Sequence, residues 1–215
     1  MEGIFITVEG NEGSGKTTAV ALLKEKLVEL RDENKIEYNV CLTREPGGIK
    51  ISEEIRKIIL DTENTNMSLE CEALLYAAAR AQNVHEVLMP KLKEKNIVLC
   101  DRYLDSSLVY QGYARGLGID EVYELNKFAI KGYLPSLTFL LKISHEKGIE
   151  RIKKRGELNR LDKESLDFHK KVEDGYDMIA KKYSDRVIII DAEKTPNEIV
   201  EEMLGYILKY IENKK

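Results

Sequence analysis

Gly10-Asn11-Glu12-Gly13-Ser14-Gly15-Lys16-Thr17 matches the pattern GxxxxGK[ST] in full, between an apolar run of strand length (Ile4 to Val8) and a segment of helical period beginning near Lys16. Glycines at these spacings let successive backbone N–H groups converge on phosphate oxygens, and the following helix N-terminus adds a favourable dipole. In such a loop Lys16 neutralises the β and γ phosphates of a nucleotide, the Thr17 hydroxyl holds Mg²⁺, and Thr18 completes the ATP-contacting run. Neither an Asn-Lys-x-Asp guanine-reading segment nor an Asp-x-x-Gly switch occurs. That excludes the readout parts of a signalling GTPase and favours an ATP-using enzyme with a small second substrate. A second feature is Arg151-Ile-Lys-Lys-Arg-Gly-Glu-Leu-Asn-Arg160, five cations in ten residues interrupted by Gly156. Read alone, it is a solvated helix end.

Strand-length apolar runs alternate with helical segments along the whole chain, the pattern of a parallel sheet wrapped by helices. Strands are predicted at Ile4 to Val8, Tyr38 to Thr43, Ile97 to Cys100, Leu137 to Ile143 and Val187 to Ile190. The third is apolar throughout and is therefore expected to be central. Val20, Leu23, Leu27 and Leu30 stripe a first helix that ends by Asp32; further helices are expected at Ser52 to Leu60 and at about Ser68 to Leu88. Thr195-Pro196-Asn197-Glu198 combines a capping box with proline at the first helical position, and Ile199, Met203, Ile207, Tyr210 and Ile211 then form an inner face. The expectation is one three-layer α/β domain over 1–215, with a five-stranded parallel sheet and a short basic lid at about 151–165.

The 215 residues are 43% hydrophobic and 33% charged, a composition that fills a core and excludes a disordered or fibrous chain. With 34 Lys plus Arg against 38 Asp plus Glu, the net charge of -4 argues against a general nucleic-acid binder. No apolar stretch approaches a membrane span or a signal-peptide core. Cys41, Cys71 and Cys100 lack CxxC spacing, and His85, His145 and His169 are scattered, so neither a disulfide framework nor a structural metal is expected and a reducing cytoplasm fits.

Four blocks make the chain resemble the thymidylate kinase family nearly end to end. They are Glu9 to Thr18, Thr43-Arg44-Glu45-Pro46-Gly47-Gly48, Leu75 to Gln82 together with Asp101-Arg102-Tyr103 through Gly112, and the basic stretch ending at Arg160. The resemblance implies a P-loop NTPase fold and transfer of the γ-phosphoryl group of ATP to dTMP, with Mg²⁺ as the metal. It assigns Arg44 and Arg102 to the dTMP phosphate, both following predicted strands at the carboxyl edge where open α/β sheets bind ligands, and Asp101, at the end of the apolar third strand, to the Mg²⁺ shell. It places Tyr76 as a ring stacked on the base, Arg80 at the base's carbonyl edge, Ser107 and Gln111 near the base, and Tyr110 against the ribose 2′ position. Glu12 would reach the ribose 3′-hydroxyl. Some family members follow that acidic residue with a catalytic arginine; this chain has Gly13 there, so the missing cation is expected from the lid, as Arg155 or Arg160.

Two stretches depart from the family pattern. Ser136 stands where aspartate is usual, and Asn159-Arg160-Leu161-Asp162 replaces a more usual Asp-Arg-aromatic-Glu, leaving open which lid arginine acts. Members are commonly homodimers, and the long alanine-rich helix can serve an interface as well as the base pocket. The alternatives are a related kinase for another nucleoside or nucleotide, and an ATP-sensing protein that does not turn ATP over.

Overall fold

The computed structural model describes residues 3–156 and 158–214, and the backbone alone at Arg155. Its five strands are β1 (Ile4–Glu9), β2 (Asn39–Arg44), β3 (Asn96–Asp101), β4 (Leu137–Lys142) and β5 (Val187–Asp191). They form one sheet of order β2-β3-β1-β4-β5 in which each pair is parallel. The centre is therefore β1, buried along its whole length, and the apolar β3 sits beside it, paired on both sides. Pairing continues into polar residues that apolar patterning does not mark, so Arg44 faces Asp101 across β2 and β3 as the last residue of each.

Alternation along β1 builds two cores. Ile4, Ile6 and Val8 face a layer containing Leu23 and Leu27 of α1 (Lys16–Asp32) and Met203 and Ile207 of α9 (Pro196–Asn213). Phe5 faces the other layer, with Leu108, Val172 of α8 (Leu166–Lys182) and Tyr176. The capping box at Thr195 forms as expected, with Ile199, Met203, Ile207 and Ile211 buried and Tyr210 partly so.

The helix anticipated at Ser68 to Leu88 is α3 (Leu69–Asn83) followed by a π-helical turn at Val84–Leu88, and it runs on beyond the expected end as α4 (Met89–Lys93). The second helix, α2, begins two residues early and spans Lys50–Leu60. Beyond β3 lie α5 (Leu104–Ser107) and a π-helical stretch (Leu108–Ala114), which carry no clean apolar stripe because most of their residues are buried, and then α6 (Ile119–Ile130), which buries Val122, Asn126, Ala129 and Ile130. The basic run begins inside α7 (His145–Arg155), which ends at Gly156 in a left-handed conformation. The C-terminal ends of β1, β2 and β3 bring Glu9, Arg44 and Asp101 to one edge, where the chain reverses its direction across the sheet.

Candidate active site

At that edge lies a cavity of about 470 Å³ floored by the phosphate loop. Gly15 caps α1 with φ 86°, a left-handed value that costs glycine little, so Lys16 opens the helix. The Lys16 ammonium is buried and donates to Gly10 O at 3.1 Å, Asn11 O at 2.9 Å and Ser14 Oγ at 3.2 Å. Burial, then the nearby Arg102 guanidinium, lower its pKa to about 8 against the opposing pull of Glu12, Asp101 and Glu9. Thr17 donates its hydroxyl to Asp101 Oδ2 at 2.9 Å, and both residues line the cavity with Thr18. A hydroxyl beside a carboxylate is an all-oxygen donor pair suited to a hard divalent cation. Asn11 donates from Nδ2 to Ile143 O at 3.1 Å, tying the loop to the end of β4.

Arg102 follows β3 with φ 66°, a conformation disfavoured for a side-chain-bearing residue. The turn is held because Arg102 N donates to Val8 O at 3.0 Å and Tyr103 N donates to Glu9 Oε1 at 2.7 Å. The guanidinium then reaches back over the loop. It donates to Glu12 Oε1 at 2.8 Å, Gly10 O at 2.9 Å, Tyr176 OH at 3.0 Å and Ser106 Oγ at 3.2 Å, and stacks 5.2 Å from the Tyr110 ring centroid. Glu12 also accepts from Tyr110 OH at 3.2 Å. Burial alone would raise the Glu12 carboxyl, but Arg102, Lys16 and these hydrogen bonds hold it at about 2. Glu9, beneath them, accepts from Ser106 Oγ at 2.5 Å and Tyr176 OH at 3.1 Å; its burial, reinforced by Asp105, raises its pKa to about 7.

On the opposite wall Arg44 donates from Nη2 and Nε to Glu53 Oε1 at 2.8 and 3.2 Å, and Arg56 donates to Pro46 O at 2.9 Å. Arg56 is half-buried, and its guanidinium pKa is lowered by that burial and by the like charges of Arg44 and Arg102. The three cations face the cavity together, an electropositive wall suited to a small dianion.

Behind this wall a recess is lined by Tyr76, Arg80, Tyr110 and Gln111. Tyr76 and Arg80 share one face of α3, but Arg80 is 1% exposed and serves as a hub. Its Nε donates to Glu45 Oε2 at 2.7 Å, Nη1 to Ser107 Oγ at 3.1 Å and to Asn126 Oδ1, and Nη2 to Tyr103 O at 2.9 Å. Four of its five N–H bonds are thus committed among the described residues, leaving one on Nη2. Ser107 stands behind Arg80 and is absent from the recess lining, where Ser106 appears. Glu45 is 4% exposed, lines both the cavity and the recess, and holds Oε1 without a protein partner among the described residues. Burial raises its pKa to about 7 against the pull of Arg80.

Glu9 and Glu45 set a pH dependence. From about 4.5 to about 7 the folded chain retains protons on these carboxyls that the unfolded chain has released, so stability falls as pH rises through that window. Glu12 acts only at lower pH, its contribution disappearing as pH falls from 4.5 towards 2. Thermal unfolding is expected at a higher temperature at pH 5.5 than at pH 7.5, with a shallower difference in Glu45→Gln. A melting temperature that rises across the same interval contradicts these assignments.

Among the lid residues, Arg151 lines the cavity, donating weakly to Gly13 O at 3.4 Å and to Ala192 O at 3.3 Å. It gets there because Gly13 and Gly148 meet backbone to backbone: a Cβ on Gly13 would lie 2.2 Å from Gly148 O, and one on Gly148 would lie 2.4 Å from Glu12 O. The Arg155 side chain lies outside the described residues. Arg160 does not face the phosphate loop; its Nη2 donates to Glu72 Oε2 at 2.5 Å and its Nε to Ile59 O at 2.8 Å. Its neighbours Asn159 and Leu161 do line the cavity.

Sequence reasoning missed Glu9, Glu45, Arg56, Glu72, Ser106, Arg151 and Tyr176. Glu9 carried a local signal, a carboxylate ending a strand that is apolar but for Thr7. His145, one of three histidines scattered in sequence, brings its ring near Glu146 and Glu173, with Nδ1 2.6 Å from Glu173 Oε2. Glu173 is too distant in sequence for that grouping to show as a spacing motif.

A phosphate loop after the central strand of a parallel sheet, with cations on the loop and on the facing wall, defines a P-loop phosphotransferase. A family model described as thymidylate kinase matches residues 8–203. The thymidylate kinase of Clostridium novyi (strain NT) is 51% identical over 208 residues, covering 96% of this chain and 98% of its own length. That of Geobacillus sp. (strain WCH70) is 50% identical over 216 residues, all of both proteins. The crystal structure of thymidylate kinase from Ehrlichia chaffeensis superposes with a TM-score of 0.77 at 31% identity, over 96% of this chain and 99% of that one. The chain belongs to the thymidylate kinase family.

Proposed function

We propose that this chain transfers the γ-phosphoryl group of ATP to the phosphate of dTMP, yielding dTDP and ADP. The observation that carries this reading is a cavity with a phosphate loop at one end and Arg44, Arg56 and Arg102 along its lining, adjoining an aromatic recess with which it shares Glu12, Glu45, Tyr76, Arg102 and Leu161. Two anionic nucleotides repel each other, and the transferring group spreads charge over its equatorial oxygens, so cations converging from both sides lower the barrier.

On the donor side, the loop N–H groups and Lys16 hold the ATP phosphates, with Asn11, Ser14, Thr17 and Thr18 completing the cradle. Thr17 and Asp101 would hold Mg²⁺, which when bound neutralises charge between the β and γ phosphates. On the acceptor side, Arg44, Arg56 and Arg102 grip the dTMP phosphate, and Glu12, ionised and facing Arg102 and Tyr110, accepts from the ribose 3′-hydroxyl. Tyr110 borders the sugar, and Tyr76 stacks on the base, an interaction worth about 1–3 kcal/mol. The remaining Nη2–H of Arg80 matches the O4 acceptor of thymine and opposes the amino donor that cytosine carries there. No general base is required, because the dTMP phosphate offers an ionised oxygen as nucleophile. ADP release measured over a panel of nucleoside monophosphates tests the reading: dTMP turns over and dCMP does not. Fast turnover of dCMP or AMP with none of dTMP overturns it.

Arg151 and Arg155 are the lid cations assigned to the donor. Arg160 would have to leave Glu72 to join them. Arg151→Ala and Arg155→Ala are each expected to lower turnover about tenfold or more with calorimetric dTMP affinity nearly unchanged; unaltered turnover in both removes the donor role from α7.

The proposal includes pairing of two copies through α2, α3 and α6, supported by the exposed apolar side chains Ile51, Ile58, Leu74 and Phe128, the last 87% exposed. Sedimentation at micromolar concentration should give twice the chain mass. Three free cysteines support a reducing, cytoplasmic setting, and among the described residues no helix is long and apolar enough to cross a membrane.

A further inference from the structure

Glu72, on α3 and 2% exposed, is approached by three side chains from different parts of the chain. Its Oε1 accepts from Gln111 Nε2 at 2.9 Å and Arg115 Nε at 3.3 Å; its Oε2 accepts from Arg160 Nη2 at 2.5 Å and Arg115 Nη2 at 3.3 Å. A carboxylate offers about four acceptor positions, so its capacity is filled. Gln111 belongs to the recess. Arg160 belongs to the segment covering it, whose Leu161 lines both cavity and recess and whose backbone docks on α2 through Arg160 N to Leu60 O at 3.2 Å. Arg115 braces the junction from the far side, donating to Glu164 at 2.6 Å and lying 4.6 Å over the Phe168 ring centroid.

We propose that Glu72 is a positioning residue that orients the Gln111 amide in the base recess and latches the covering segment through Arg160, so that ordering the recess and closing the cavity are one coupled event. With Nε2 committed to Glu72, Gln111 cannot flip without turning its oxygen onto a carboxylate, so the polarity it presents to a base is set from behind. Releasing Arg160 removes the tie between this segment and the carboxylate that also holds Gln111. Groups sharing one buried partner do not act independently, and their substitutions are expected to be non-additive. The link to the base rests on the dTMP reading; the latch itself does not.

The test uses Glu72→Gln, Gln111→Ala and Arg160→Met in the full chain. With ATP saturating, Glu72→Gln is expected to raise the KM for dTMP about tenfold while kcat changes less, since the carboxylate touches neither nucleotide. The effects of Gln111→Ala and Arg160→Met on kcat/KM should depart from simple multiplication by about fivefold or more when Glu72 is present, and multiply independently in the Glu72→Gln background. Independent effects with Glu72 present overturn the coupling, a comparison that holds even if Glu72→Gln fails to fold. Without nucleotide, amide hydrogen exchange at residues 159–162 should accelerate about tenfold or more in Arg160→Met, with the strands unchanged. Unchanged exchange there overturns the latch. If the chain does not phosphorylate dTMP, the functional reading has failed, and the exchange measurement alone decides the latch.

Discussion

Replacing Arg102 with methionine is expected to lower kcat/KM for dTMP phosphorylation by about 10²–10³-fold, the cost of removing one preorganised donor from a site where charge develops. The side chain is placed by its backbone. A left-handed φ of 66° turns it back over the loop, and the Tyr103 and Ser106 contacts with Glu9 hold that turn. Its loss also removes the strongest attraction holding Glu12 at about 2, so the Glu12 carboxyl should titrate at higher pH in the variant. The kinetic effect should therefore appear in kcat as well as in KM. Arg102→Lys should recover only part of it, because an ammonium cannot reach Glu12, Gly10 O and Tyr176 OH as one planar fork does. A variant within about threefold of the parent in kcat/KM would remove Arg102 from the reaction.

The second large effect concerns stability. Above pH 7, where Glu45 is ionised in the parent, Arg80→Met leaves that carboxyl buried without its cation, and breaking a buried pair in this way costs about 3–5 kcal/mol. For a chain of this size that corresponds to a melting temperature lower by about 10 °C. The loss also strands Ser107, Asn126 and the Tyr103 carbonyl, which accept from the same guanidinium. Adding Glu45→Gln to Arg80→Met should return part of the stability by removing the unpaired charge, without restoring dTMP binding. Thermal unfolding of the two single variants and the double variant checks this. Equal melting temperatures for Arg80→Met and its parent, or no recovery in the double variant, would show that the pair does not carry the core as argued.

These residues also mark where the sequence was readable. The phosphate loop, the five strands and the capping box at Thr195 are local patterns, written in a few consecutive residues, and they stand close to where they were expected. The hub role of Arg80 is not local: its partners lie 23 to 46 residues away. Helical spacing placed Arg80 beside Tyr76 but could not reveal that most of its donors turn inward. Arg160 belonged by composition to a basic run, yet it pairs with Glu72, 88 positions distant. Arg151 read as a solvated cation; the two glycines that bring α7 against the loop, Gly13 and Gly148, are 135 residues apart and individually unremarkable. The ends of β2 and β3 were set one residue short because apolar patterning stops before parallel pairing does, and the residues it omitted, Arg44 and Asp101, are those that face the cavity.

The central claim is that the γ-phosphoryl group of ATP is delivered to dTMP. Incubating the chain with ATP labelled at the γ-phosphate, Mg²⁺ and dTMP, then separating the nucleotides, follows that group directly. The label is expected in the β-phosphate of dTDP, one equivalent for each ADP formed. Label found only in inorganic phosphate, or in another nucleoside diphosphate when its monophosphate competes with dTMP, would contradict the account.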